Sequence, residues 1–145
     1  MGDATRIPVI AAVGEYVDRP ESLDLALEPV ALMERAIRAC EADSGRGLAA
    51  EITTISLIGL ISWRYRDPVA LLCDKLGIAP AERVNASMGG ETPIRLVHEA
   101  AARIAQGEHV VAAIVGGESS SSSGRARKQG AKLPWTPAAP LEETV

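Results

Sequence analysis

The residues with the most chemical promise form one short stretch, Met88-Gly89-Gly90-Glu91-Thr92. A β-like run ends in this glycine pair, and a helical pattern starts at once with Thr92 and Pro93. Glycines let another group approach the backbone closely, and the free N–H groups of a helix start favour an anion or a carbonyl oxygen. These five residues are therefore the candidate substrate-binding set. The same features also describe a tight strand-to-helix connection that binds nothing, and both readings stand on the local sequence.

No catalytic residue and no metal-ligand set can be named. Ser87 adjoins the turn but has no visible partner base. His98 falls on or beside an apolar helical stripe, which points to a structural histidine; His109 is expected to be exposed at the start of a strand. Cys40 and Cys73 both sit in apolar helical patterns. Buried, inert thiols fit that context better than a disulfide framework or a metal site.

The turn needs elements to hold it. Ile7 to Val13, ending at Gly14, reads as a buried strand, and Glu15 to Glu28 as a loop. Pro29 opens a helix with a core stripe of Val30, Met33, Ile37 and Cys40, closed by Gly45 and Gly47. Glu51 to Ile58 is β-branched and reads as a second strand, while Gly59 to Tyr65 is ambiguous. Asp67-Pro68 starts a helix whose apolar face is Val69, Leu72, Cys73 and Leu76, stopped by Gly77. Arg83 to Ala86 is the third strand. Thr92 is the expected N-cap and Pro93 the first residue of the next helix. Ile94, Val97, Ala101, Ile104 and Ala105 are its expected core face, and Gly107 its left-handed end. His109 to Val115 is the fourth strand. Alternating strands and crossover helices predict an α/β fold with a mainly parallel sheet and helices on both faces.

Composition agrees. The chain has 145 residues, enough for one domain with a real core. Apolar residues make up 47% but aromatics only 3%, so the core must be aliphatic, as parallel sheets favour. A net charge of −4 gives no basic bias toward nucleic acid. No apolar run reaches membrane-spanning length and the first residues are polar, so a soluble cytoplasmic protein is expected. The last stretch differs. A serine run, Ser119 to Ser123, precedes Arg125, Arg127, Lys128 and Lys132, then Trp135 between prolines. Alone it reads as a flexible tail, although Trp135 wants a surface to cover.

Taken in order, these segments resemble the N-terminal part of a thiolase, the acetyl-CoA acetyltransferase family. The resemblance rests on Arg6-Ile7-Pro8-Val9-Ile10, on Arg83-Val84-Asn85 with the helix ending Ile104-Ala105-Gln106-Gly107-Glu108, and on Val110 to Ser119 with Gly116-Gly117-Glu118-Ser119. It implies a thiolase-like half domain over residues 1–118, with 119–145 as the start of a loop domain that covers acyl-CoA, or as a flexible tail. A coenzyme A thioester is the implied ligand, with no other cofactor, and the basic cluster would lie near its phosphates. The implied assembly is a homodimer, or a complex with a chain supplying the second half. Pairing would be through the strand at Arg83 to Ala86.

The chain departs from the family at the nucleophile. Thiolases place a cysteine at this helix start, where its lowered pKa lets it take the acyl group. Counting from Asn85 puts Met88 there; counting back from Gly107 puts Gly90 there. Neither can be acylated. The Gly-His-Pro type motif of the second half is also absent. The resemblance is therefore to a divergent subgroup lacking the cysteine.

Overall fold

The first regular element is a helix, not a strand. The structure, a computed structural model, describes residues 6–108 and 111–145. Helix α1 (Pro29–Ser44) starts on its proline and ends at Gly45, which takes the left-handed conformation with φ 64°. The expected strand at Ile7 to Val13 does not form; the run is irregular, with Ile7, Val9, Ile10 and Val13 exposed. An apolar run signals a demand for burial but not a ladder partner, and Pro8 has no N–H to donate to one. Instead this segment crosses α1. A Cβ on Gly14 would stand 2.4 Å from the Ala36 carbonyl oxygen, and the Val13 N–H donates to Asp43 Oδ2 at 3.1 Å.

Strand β1 (Thr54–Ile58) follows, then α2 (Pro68–Leu76). Asp67 caps α2 by accepting from the Ala70 N–H at 2.9 Å, and Gly77 ends it with φ 69°. Strand β2 (Glu82–Ala86) leads to α3 (Thr92–Ala105), and α3 to β3 (Ala112–Val115). His109 and Val110 fall outside the described residues, so the expected start of that strand does too. The sheet therefore has three strands in the described residues, in the order β2-β1-β3 and all parallel. Ile58 pairs with Ala86 and Leu57 with Val115, so all three carboxyl ends lie at one rim.

The core lies on one face of this sheet. Ile55 and Leu57 of β1 pack with Val30, Met33 and Ile37 of α1 and with Val69, Leu72, Cys73 and Leu76 of α2. Helix α3 contributes nothing to that cluster; the β1-to-β2 and β2-to-β3 connections run in opposite directions along the sheet, and right-handed crossovers of that kind put α2 and α3 on opposite faces. The α/β architecture with helices on both faces is as expected. The orientation of α3 is not. It buries Thr92 and Leu96, while Ile94 is 77% and Val97 48% exposed. Both faces of this helix carry apolar residues, and the sheet takes the one through Leu96. The cap also moves by one residue, with Glu91 at the N-cap and Pro93 in the second helical position.

The serine run is helical as well. Helix α4 (Ser120–Gln129) turns Ser122 and Ala126 inward and ends at Gly130. Beyond it, Trp135 is buried against the body of the chain, where its Nε1 donates to the Ala26 carbonyl at 2.6 Å. Its ring meets Trp63 edge-on, with centroids 5.0 Å apart, and Trp63 Nε1 donates to the Thr136 carbonyl at 2.8 Å. The surface Trp135 needs is thus within this chain. Among the described residues no helix is long and apolar enough to cross a membrane.

Candidate functional site

The carboxyl rim of the sheet is where parallel α/β folds bind ligands, most often where the winding changes direction. Here the chain leaves β1 for β2 on one side and returns to β3 on the other, so the change falls at the end of β1. Three segments meet there: Gly59 to Ser62 after β1, Ser87 to Glu91 after β2, and Gly116 to Ser119 after β3.

The turn after β2 is built from close backbone contacts. Gly59 packs directly on it, since a Cβ there would lie 2.8 Å from the Met88 nitrogen and 3.0 Å from the Ala86 oxygen. The Thr92 N–H donates back to the Gly89 carbonyl at 3.2 Å, closing the turn onto α3. Gly89 is enclosed, with its Cβ position 2.7 Å from Glu91 Oε2 and 3.0 Å from Thr92 Oγ1. Gly90 is the opposite case. No atom lies within 4 Å of its Cβ position, and it does not take positive φ. The openness at Gly90 is therefore spatial, not a conformational demand.

Two polar atoms in this region lack partners. Thr92 is fully buried, and its Oγ1 makes no hydrogen bond; Asn85 Oδ1, at the end of β2, is also buried and unbonded. Buried polar groups are satisfied in the great majority of cases, so two such atoms at one strand-to-helix turn stand out. The exposed side chains of Met88 and Glu91 flank them.

The facing segments are fixed by Glu118. Its carboxylate accepts from the Ile61 N–H at 2.6 Å and the Ser62 N–H at 2.8 Å. The Ser119 N–H donates to Ser62 Oγ at 3.0 Å, and Ser119 Oγ donates to the Leu27 carbonyl at 2.9 Å. Gly59 and Glu118 were not among the candidate residues. A glycine after a β-branched run and the Gly-Gly-Glu-Ser pattern were the available signals.

The other candidates are dispersed. His98 is exposed on α3 and is not the satisfied structural histidine expected from the stripe. Cys73 is 2% exposed and Cys40 half-buried, and burial pushes both thiols above the ordinary range. Among the described residues Ser87 is exposed and bonded to no base, and no cluster of His, Cys, Asp and Glu could hold a metal. Arg125, Arg127, Lys128 and Lys132 are exposed on and after α4.

This sheet, its helices and the placement of the turn define a thiolase-like α/β half domain. A crystal structure of a monomeric SCP2-thiolase like protein type 1 from Mycobacterium smegmatis matches it with a TM-score of 0.65 and 28% sequence identity, over 80% of this chain and 24% of that one. The chain thus spans under a quarter of that neighbour's length. No protein-family model and no curated protein matches it.

Proposed function

We propose that this chain handles acyl-CoA thioesters, as a divergent thiolase-like protein without an acyl-carrying cysteine. The observation that carries the reading is the open space at Gly90, at the head of α3, where no atom lies within 4 Å of the Cβ position. A thioester carbonyl at this turn would feel the positive end of the helix dipole. Met88, Gly89 and Glu91 would border the acyl group. Arg125, Arg127, Lys128 and Lys132 are the proposed phosphate contacts. With no nucleophile at the turn, the chemistry is thioester binding or non-covalent carbon–carbon cleavage, in the cytoplasm, as part of lipid metabolism.

Calorimetry with acetyl-CoA tests this. The wild-type chain should bind, and Gly90→Leu should weaken binding far more than it lowers stability, because its side chain enters open space. Equal losses would reduce the turn to a structural connection.

A second reading has its own support. The exposed Ile94 and Val97 favour a non-catalytic assembly subunit, acting as a homodimer or completed by a second chain. Under that reading acetyl-CoA binding is absent, while association persists.

A further inference from the structure

We propose that the cleft at the head of α4 binds a small zwitterion, an aliphatic α-amino acid. Its carboxylate would sit on the first turn of the helix and its ammonium at Asp18 and Glu118. The site shares no residue with the Gly90 turn or the basic cluster, so it stands or falls apart from the thioester reading.

The cleft holds about 230 Å³ and lies where the loop before α1, the first turn of α1 and the segment after β3 meet the start of α4. Sites for drug-sized ligands run to roughly 300–1,000 Å³, so this one suits a smaller molecule. Two observations point to a ligand there. Ser122 faces the cleft from the first turn of α4 and is 7% exposed, and its hydroxyl makes no hydrogen bond among the described residues. Ser119 is equally buried but fully used by the fold, its Oγ donating to the Leu27 carbonyl and its N–H to Ser62 Oγ. Buried hydroxyls are nearly always paired, so the partner of Ser122 belongs in the cleft. The second observation is the helix start. The first α4 N–H with a backbone acceptor is that of Ser123, which donates to the Ser119 carbonyl at 3.0 Å, and no side chain caps the helix. Among the described residues the N–H groups of Ser121 and Ser122 are thus free for an incoming oxygen, and Ser121 lines the cleft too.

Charge decides what the ligand is. Asp18 and Glu118 also line the cleft, and the backbone already aims both carboxylates. Asp18 Oδ2 accepts from the Leu27 N–H at 2.8 Å, and Glu118 accepts from the Ile61 and Ser62 N–H groups. No lysine or arginine among the described residues lines the cleft. A simple anion on the helix start would therefore face two carboxylates, and a simple cation would face the positive end of α4. A molecule with both charges meets donors with its carboxylate and acceptors with its ammonium, through charge-assisted hydrogen bonds. A neutral polyol fills the same space with weaker bonds. Leu32 and Tyr16, whose ring centre lies 5.8 Å from the Arg35 guanidinium, give the ligand's carbon chain apolar surface.

Titration of the full chain with L-valine, followed through the amide chemical shifts of residues 118–123, provides the test. L-valine should give saturable shifts there in the millimolar range. 3-Methylbutanoate lacks the ammonium and isobutylamine lacks the carboxylate, so each should bind about tenfold more weakly, the loss expected with one charged hydrogen-bonding group. Ser122→Ala should lower L-valine affinity about tenfold at an unchanged melting temperature, because this hydroxyl has no partner in the free chain. Asp18→Asn keeps an acceptor for the Leu27 N–H and removes the charge. It should weaken L-valine and strengthen 3-methylbutanoate, a crossing that a merely structural change does not produce. Equal binding of 3-methylbutanoate by the wild type would make this an anion site, and glycerol shifts matching those of L-valine would make it a polyol site; either overturns the inference. So does an absence of saturable shifts, which would leave the Ser122 hydroxyl to water, and so does L-valine binding indifferent to both variants.

Discussion

Gly59 and Met88 touch through their backbones: a Cβ on Gly59 would stand 2.8 Å from the Met88 nitrogen. Real Cβ atoms do not approach backbone this closely, so the end of β1 and the turn after β2 are seated on each other with no room for a methyl group. Gly59→Ala should displace the turn from Ala86 to Met88 and cost about 1–3 kcal/mol, the usual range for overpacking. Urea denaturation measures the cost, and amide chemical shifts of residues 86–92 locate it. A variant of unchanged stability and spectrum would show the contact to be slack.

Trp135 ties the last segment to the rest. Its Nε1 donates to Ala26, its ring meets Trp63 edge-on, and Thr136 beside it donates from N–H and Oγ1 to Glu28. Trp135→Ala should cost about 3 kcal/mol, as truncations of buried tryptophan do. It should also open the segment after Gly130 to protease before the core melts. Trp135→Phe keeps the ring contact and leaves the Ala26 carbonyl without that donor, so it should fall between. Uncoupled cleavage in the wild type would refute the docking.

The sequence carried the interior of this fold well and its periphery poorly. Pro29, Asp67-Pro68, Gly77 and Gly107 acted as helix punctuation because each acts through its own backbone chemistry, which needs no distant partner. The stripes of α1 and α2 were legible for the same reason: each helix has one apolar face. Ile7 to Val13 and α3 failed where tertiary choice decides. An apolar run does not say which edge it would join, and a helix apolar on two sides does not say which side its own sheet takes. At the site, Met88 to Thr92 was visible as a glycine turn at a helix start. That Gly59 braces it, and that Glu118 pins the facing loop, required contacts between residues far apart in the chain.

Tyr65 supplies a pH dependence. It is buried, and desolvation first, then the Glu28 carboxylate, push its phenol well above the usual value of 10.0. Its hydroxyl donates to Glu28 Oε2 at 2.9 Å and accepts from the Val30 N–H. The folded pKa is raised, so the unfolded chain loses this proton first. The stabilisation is complete below pH 10.0, and it declines as pH rises above that value toward the folded pKa. Tyr65→Phe removes the dependence and leaves the Val30 N–H without its acceptor, at about 1–2 kcal/mol near neutral pH. Melting curves of both proteins from neutral to strongly alkaline pH should converge as pH rises. Parallel curves would show that Tyr65 does not govern alkaline unfolding.

The last expectation concerns acyl transfer. A thiolase-type reaction needs a thiolate to carry the acyl group and a base to form it. Burial raises both thiols of this chain, Cys73 is 2% exposed, and Ser87 has no base among the described residues. Intact-mass measurement after incubation with acetyl-CoA should therefore show no stable adduct. Gly90→Cys separates a missing nucleophile from a missing site. Its Cβ meets nothing within 4 Å, so the change should fold with the wild-type melting temperature. Lying just before the first turn of α3, the new thiol should have a lowered pKa and react with iodoacetamide in the native state, while Cys73 stays protected. It should not turn over acetyl-CoA, because among the described residues no base lies within 4 Å of its Cβ position to complete the cycle. An acetyl adduct on Ser87, Cys40 or Cys73 of the wild-type chain would show that the nucleophile lies elsewhere. A Gly90→Cys thiol no more reactive than Cys73 would show that the head of α3 does not favour negative charge, and the proposed thioester site would fall with it.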